Sequence, residues 1–216
     1  MNKNTKSFDT KKLVGIAMFA ALAYGVTFVF RIPVMFLTFD AKDTLITIAA
    51  LMYGPISGVA ISLITALIEL ITISGTGVYG FIMNFASSAA FSATAALIYK
   101  YKRNASGAII SFYAASVVMV TVMMLLNMFV TPYYMGVTTQ TVIDLIPTLF
   151  LPFNLAKALL NSALAMMLYK PITVAMRRAG LLKGSGTMKI NRSSAAIYIT
   201  AVITLVVSVI LFVILT

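Results

Sequence analysis

The chain has 216 residues, 61% of them hydrophobic and 10% charged, with a net charge of +11. Its mean hydropathy of +1.03 is too high for a soluble domain of this size and places it among polytopic membrane proteins. Without cysteine or histidine it has no disulfides, thiolate metal ligands, cysteine nucleophile or imidazole acid–base chemistry.

Residues 1–12 are polar and basic, and no clear cleavage site follows them, so the next apolar run is expected to be a retained span rather than a signal peptide. A helix needs roughly 20 apolar residues to cross the hydrocarbon core. On that measure the first span is Leu13–Phe30, followed by a polar-punctuated loop, Arg31–Lys42. Thr44–Tyr53 is too short to cross alone, and part of the preceding loop is expected to dip into the bundle to complete it. Gly54-Pro55 separates it from Ile56–Ile73, and a turn at Ser74–Gly77 leads to spans at Tyr79–Tyr99, Ala108–Val130 and Thr148–Tyr169. A basic segment, Lys170–Arg192, precedes a last apolar run, Ala195–Leu215, which is long enough for a further span. The expected fold is an all-α membrane helix bundle with a six-helix core and an extra C-terminal helix. Its expected parts are a cytoplasmic segment 1–12, a membrane domain 13–172, a basic linker 173–194 and a hydrophobic helix 195–216.

Thirteen of the sixteen basic residues fall before the first span, between Tyr99 and Ala108, or after Tyr169. By the positive-inside rule these segments are cytoplasmic, as is the N-terminus of a multi-pass protein of the cell membrane. The excess charge then reads as topology and contact with membrane lipid, not as a nucleic-acid interface.

One stretch concentrates the polar chemistry. Asn154, Lys157 and Asn161 share a helix face in an apolar span that contains no acid. Lys157 lies roughly 14 Å into that span, near the middle of a core about 30 Å thick. A charge at this depth usually faces a bundle interior or a wet cavity. Glu69, Asn84, Asn127 and Asn154 lie toward the outer ends of their spans, with Asp40, Lys42 and Asp43 in the outer loop, so the pattern is a polar cup open to the outside.

Structural readings stand beside these. Glu69 either snorkels or pairs with Lys157, Asn84 and Asn127 hydrogen-bond helix to helix, and Asp40, Lys42 and Asp43 form a solvated loop. Phe36, Phe39, Tyr79, Phe81, Phe129, Tyr133 and Tyr134 form either an interfacial belt or stacking surfaces for a planar ring. Ala17, Ala21 and Gly25 repeat every four residues, a face suited to close helix approach, either within the bundle or by a separate membrane subunit; Ser88, Ser92 and Ala96 form a similar face. There is no phosphate-cradling loop, metal-ligand cluster or intramembrane acid pair, so no enzyme activity and no cofactor are expected.

Four stretches carry a family resemblance: Ala17-Met-Phe-Ala-Ala21, Phe39-Asp-Ala-Lys-Asp43 leading to Tyr53-Gly-Pro55, Leu126-Asn-Met-Phe-Val-Thr-Pro-Tyr-Tyr134, and Leu151-Pro-Phe-Asn-Leu-Ala-Lys157. Over residues 11–172 the chain resembles the S components of energy-coupling factor (ECF) transporters, in their riboflavin-specific, RibU-like branch. The resemblance implies a subunit that captures riboflavin from outside and works with a transmembrane coupling subunit and two cytoplasmic ATPases. It implies flavin contacts at Asn127, Asn154 and Lys157, and a coupling face at Ala17 and Ala21. With the reading of the residues, the candidate binding set is Phe39, Asp40, Tyr79, Asn84, Asn127, Asn154 and Lys157, and the docking set is Ala17, Ala21 and Gly25. An S component for another vitamin, or a structural membrane protein without transport function, are the competing readings. The family has six helices, so Ala195–Leu215 is a departure from it.

Overall fold

A computed structural model describes residues 10–183 and 192–215. Residues 1–9 of the expected N-terminal segment, 184–191 of the expected linker, and Thr216 lie outside the described residues. The elements run α1 (Thr10–Val29), β1 (Ile32–Val34), β2 (Leu37–Phe39), α2 (Lys42–Tyr53), α3 (Pro55–Thr72), α4 (Gly77–Tyr101), α5 (Ala105–Met135), α6 (Thr139–Leu145), a π-helical turn (Ile146–Phe150), α7 (Leu151–Arg178) and α8 (Arg192–Leu215). Among the described residues six helices are long and apolar enough to cross a membrane: α1, α3, α4, α5, the continuous Thr139–Arg178 rod and α8. The chain is an all-α, multi-pass membrane bundle.

At 12 residues, α2 is about 18 Å long, too short to cross. It is nevertheless the centre of the molecule, packed against α1, α3, α4 and α7, with Ile46, Ile48, Ala49 and Ala50 fully buried. Gly54, at φ +100°, turns the chain from α2 into α3 with no loop, and Pro55 occupies the first helical position, where its missing N–H costs nothing. The interfaces around α2 are tight. A Cβ added at Gly58 would lie 2.6 Å from the Ala50 Cβ and 2.9 Å from the Ser92 Oγ. Ser88, Ser92 and Ala96 are all buried, so that small-residue face of α4 serves the bundle's own packing.

Many buried hydroxyls bond to a carbonyl one turn back on their own helix: Thr27 to Ala23, Ser62 to Gly58, Ser116 to Phe112 and Thr204 to Thr200.

Three features differ from the sequence expectation. The Arg31–Lys42 loop contains an antiparallel hairpin, with Ile32 opposite Phe39 and Val34 opposite Leu37. Its two-residue turn, Met35-Phe36, lacks the glycine or asparagine that marks such turns, and Met35 takes φ +53°. Next, α5 runs through Pro132 to Met135, past the expected end at Val130. Finally, α7 runs through Pro171 to Arg178, so the first residues of the expected linker are helical. Each proline removes one ladder bond, a loss that membrane helices tolerate where neighbouring helices cover the gap.

The last helix, α8, packs along α7 through a seam of small residues. Ala201, Thr204 and Ser208 are buried in it, and the Ser208 Oγ donates to the Ala156 carbonyl at 2.7 Å. The opposite face, including Ile199, Ile203, Val206 and Ile210, is exposed and apolar, as a lipid-facing surface should be.

Gly58→Ala is expected to force α2 and α3 apart and to destabilise the bundle by about 1–3 kcal/mol. A lowered thermal midpoint in detergent is the check; an unchanged midpoint contradicts the close packing.

Candidate functional site

The functional chemistry follows from where α2 begins. A helix start leaves backbone N–H groups without partners, and here that start lies inside the bundle. Asn161 on α7 resolves much of this: its Oδ1 accepts from the Thr44 N–H at 2.8 Å and from the Thr44 hydroxyl at 3.0 Å. Its Nδ2 donates to the carbonyls of Asp40 (3.1 Å) and Lys157 (3.0 Å). Asn161 thus clamps the entry to α2. Asp43, in the first turn where the helix dipole favours negative charge, accepts a hydrogen bond from Ser88.

Two buried ion pairs complete this core. Lys42 donates to both carboxylate oxygens of Glu69 at 2.7 Å, and Lys157 pairs with Asp40 at 2.9 Å. Asp40, Lys42 and Asp43 are each 3% exposed or less, which corrects their reading as a solvated loop: α2 starts at Lys42 and carries all three inward. Glu69 is not the partner of Lys157, and Lys157 is not a lone cation. The acid it needs comes from the hairpin linker, 117 residues earlier in the chain.

Beside these pairs lies a cavity of about 500 Å³. It sits at the end of the bundle where α1 and α5 finish, α7 starts, and residues 73–76 join α3 to α4. That end is opposite the basic connection between α4 and α5. Six of the seven expected binding residues line it: Asp40, Tyr79, Asn84, Asn127, Asn154 and Lys157. Phe39 does not. Strand alternation turns Thr38 toward the cavity and sends Phe39 to the opposite face of the hairpin, where it is buried against Phe153 and Phe212.

The polar lining is partly committed. The amide nitrogens of Asn127 and Asn154 bond to the Met123 and Phe150 carbonyls, and Thr131 donates to the Asn127 Oδ1. The Asn84 amide donates to Glu69 at 3.0 Å, tying it to the Lys42 pair. The Lys157 ammonium has three donors, and only the Asp40 carboxylate and, at 3.5 Å, the Thr38 carbonyl take them. On the apolar side the Tyr134 ring lies 6.2 Å from those of Phe36 and Tyr79. Of the other aromatics in the expected belt, Phe129 and Tyr133 are strongly exposed and outside the cavity.

Ser87 also lines the cavity and escaped the sequence reading. Its hydroxyl is buried and has no hydrogen-bond partner. The signal was available, because Ser87 lies three residues after Asn84 on the same helix face. The Lys42–Glu69 pair had no such signal.

The arrangement can hold a neutral or weakly polar ligand by stacking and hydrogen bonds, with a shape set by the rings and an orientation set by the amides and Lys157. Among the described residues no group of carboxylates is gathered to hold a metal ion.

Comparison with known proteins identifies the family. The family model for the ECF transporter, substrate-specific component, matches residues 11–169. The chain belongs to this S-component family. It is therefore a substrate-binding membrane subunit of an ECF transporter, and the family is a transporter component rather than an enzyme. Riboflavin transporter RibU of Staphylococcus aureus (strain TCH60) is 31% identical over 179 residues, covering 79% of this chain and 94% of the relative. Riboflavin transporter FmnP of Bacillus subtilis (strain 168) is 25% identical over 172 residues, covering 74% and 90%. A solved structure, described as the structure and mechanism of the S component of a bacterial ECF transporter, aligns with a TM-score of 0.68 and 30% identity. That alignment covers 79% of this chain and all of the other. In this S component α8 lies beyond the residues matched by the family model.

Glu69→Ala should leave Lys42 as a buried charge without its carboxylate and cost about 3–5 kcal/mol. The double variant Lys42→Met with Glu69→Leu should recover most of that loss. Thermal unfolding of the three proteins in detergent is the measurement, and equal midpoints for the single and double variants would contradict the pairing.

Proposed function

We propose that this S component captures riboflavin in the cavity from the extracellular side and delivers it to a transmembrane coupling subunit driven by two cytoplasmic ATPases. The observation that carries the reading is the composition of the cavity wall, in which Asn84, Asn127, Asn154 and Lys157 share one space with Phe36, Tyr79 and Tyr134. Two relatives covering most of the chain are riboflavin transporters, which adds to it. A volume of about 500 Å³ falls within the usual range for pockets that enclose a small molecule.

The chemistry matches the ligand class. The isoalloxazine system is flat and aromatic, which suits the tyrosine and phenylalanine rings. Riboflavin is uncharged at neutral pH, so a lysine neutralised by Asp40 suits it better than a free cation: the pair keeps its charge balance, and the remaining donor serves a ring or ribityl oxygen. The free Oδ1 of Asn154 and the Ser87 hydroxyl offer further partners to the ribityl hydroxyls. The positive-inside rule puts the basic connections in the cytoplasm and the cavity mouth outside, with the N-terminus cytoplasmic.

The coupling face is assigned to α1. Ala17 and Ala21 are exposed, and a Cβ added at Gly25 would meet nothing within 4 Å. A ladder of small residues without a covering helix lets another membrane helix approach closely.

Titration of the purified chain with riboflavin should quench flavin fluorescence saturably at one site per chain; a chain that shows no saturable binding refutes the ligand. Asn154→Ala and Ser87→Ala should each raise Kd about tenfold, from the loss of a buried hydrogen bond. Unchanged affinity in both would remove these residues from the site. Ala17→Leu combined with Ala21→Leu should abolish co-purification with the coupling subunit while riboflavin titration is unaltered; retained complex would move the coupling face elsewhere.

A further inference from the structure

The β-hairpin is a thin partition. On one side, the cross-strand pair Pro33 and Thr38 faces the ligand cavity, and Asp40 at the base of the hairpin borders both spaces. On the other, Ile32, Phe39 and Ala41 border a second, apolar cleft of about 510 Å³ enclosed by α1, α2, α7 and α8. Three-residue strands joined by a turn with Met35 at φ +53° do not hold such a wall unaided, since an isolated hairpin is marginal even with longer strands. Something else must fix it.

The described contacts name the support. Phe39 and Val34 are buried in a small cluster with Phe153 and Ala156 of α7, closed by Leu211, Phe212 and Leu215 at the end of α8. The Phe39 and Phe212 ring centroids are 4.5 Å apart. One turn earlier, the Ser208–Ala156 hydrogen bond fixes the height of α8 against α7. This cluster is separate from the large core of the bundle. The residues that contribute it from α8 lie beyond residues 11–169, where the family model ends.

We propose that α8 is a buttress for the hairpin, and that Phe212 is a positioning residue for ligand retention. It presses Phe39 toward α7, and through the two residues that flank Phe39 it holds the Asp40 carboxylate on Lys157 and the Thr38 carbonyl over the cavity. Removing the ring of Phe212 opens space toward the apolar cleft, and the hairpin then has a second place to settle. A wall with two positions releases its ligand faster. The inference rests on the cavity being the riboflavin site only for its kinetic part; the mechanical part is independent of which ligand binds.

The absence of native cysteine makes the mechanical part directly measurable. Spin labels at Met35→Cys, on the exposed hairpin tip, and Ile71→Cys, on the exposed end of α3, report the hairpin's position as a distance distribution. In full-length protein, Phe212→Ala is expected to broaden that distribution and to speed riboflavin release from the binding-competent fraction about five- to tenfold, as expected for the loss of an aromatic pair. Phe212→Leu should give a smaller change in the same direction, and it carries the test alone if the alanine variant does not fold. Ile210→Ala, on the exposed face of α8, should change neither readout. A purely structural role for Phe212 would reduce the competent fraction without altering its release rate. An unchanged distribution, or a broadened one with an unaltered release rate, overturns the proposal. If the full-length chain binds no riboflavin, the ligand assignment fails, and the distances alone decide this inference.

Discussion

The cost of burying charge inside a membrane bundle governs this molecule. Each ion taken from water costs several kcal/mol even after relaxation, and only close pairing with further hydrogen bonds offsets it. Lys42 and Lys157 meet that condition by drawing on Glu69 and Asp40. Both pairs depend on α2 beginning inside the bundle, because it is the start of α2 that brings Asp40, Lys42 and Asp43 inward. A full-length second span would have buried apolar residues there and left no polar floor.

From that constraint the cavity follows. A short α2 leaves one end of the bundle without a helix at its centre, and the hairpin occupies part of the gap. What remains is lined by the ends of the surrounding helices, and those ends carry the asparagines and tyrosines. The ion pairs form its floor and rim rather than its contents. Each pair balances its own charge and leaves directional donors at the wall, which agrees with the proposed capture of a neutral ligand.

Much of this was legible in the chain. Hydropathy marked the long spans, and the depth of Lys157 together with its helix-face neighbour Asn154 located the cavity wall. The partner of Lys157 was not legible, because Asp40 and Lys157 are 117 residues apart and nothing local links a loop carboxylate to a distant helix. The hairpin was hidden because its turn residues, Met35 and Phe36, lack the usual turn chemistry. Phe39 was assigned to the site as one of the aromatics that could stack on a planar ring, but without knowledge of a strand there its alternation could not be applied. The role of α8 was equally out of reach, since its fully buried residues, Ala201, Thr204 and Ser208, are small, and only three-dimensional contact shows what they and Phe212 touch.

The hydroxyls that bond back to their own helices have a mechanical consequence. A serine or threonine satisfied one turn away needs no partner across the seam, and where one forms, as Ser116 does with Ser162 and Thr204 with Tyr113, that bond is its second. Around α2 the side-chain links Thr44–Asn161, Lys42–Glu69 and Ser88–Asp43 act as rivets. A hydroxyl with a partner on its own helix stays satisfied if a neighbouring rod shifts, so the grip on the ligand wall rests on the rivets and not on these groups.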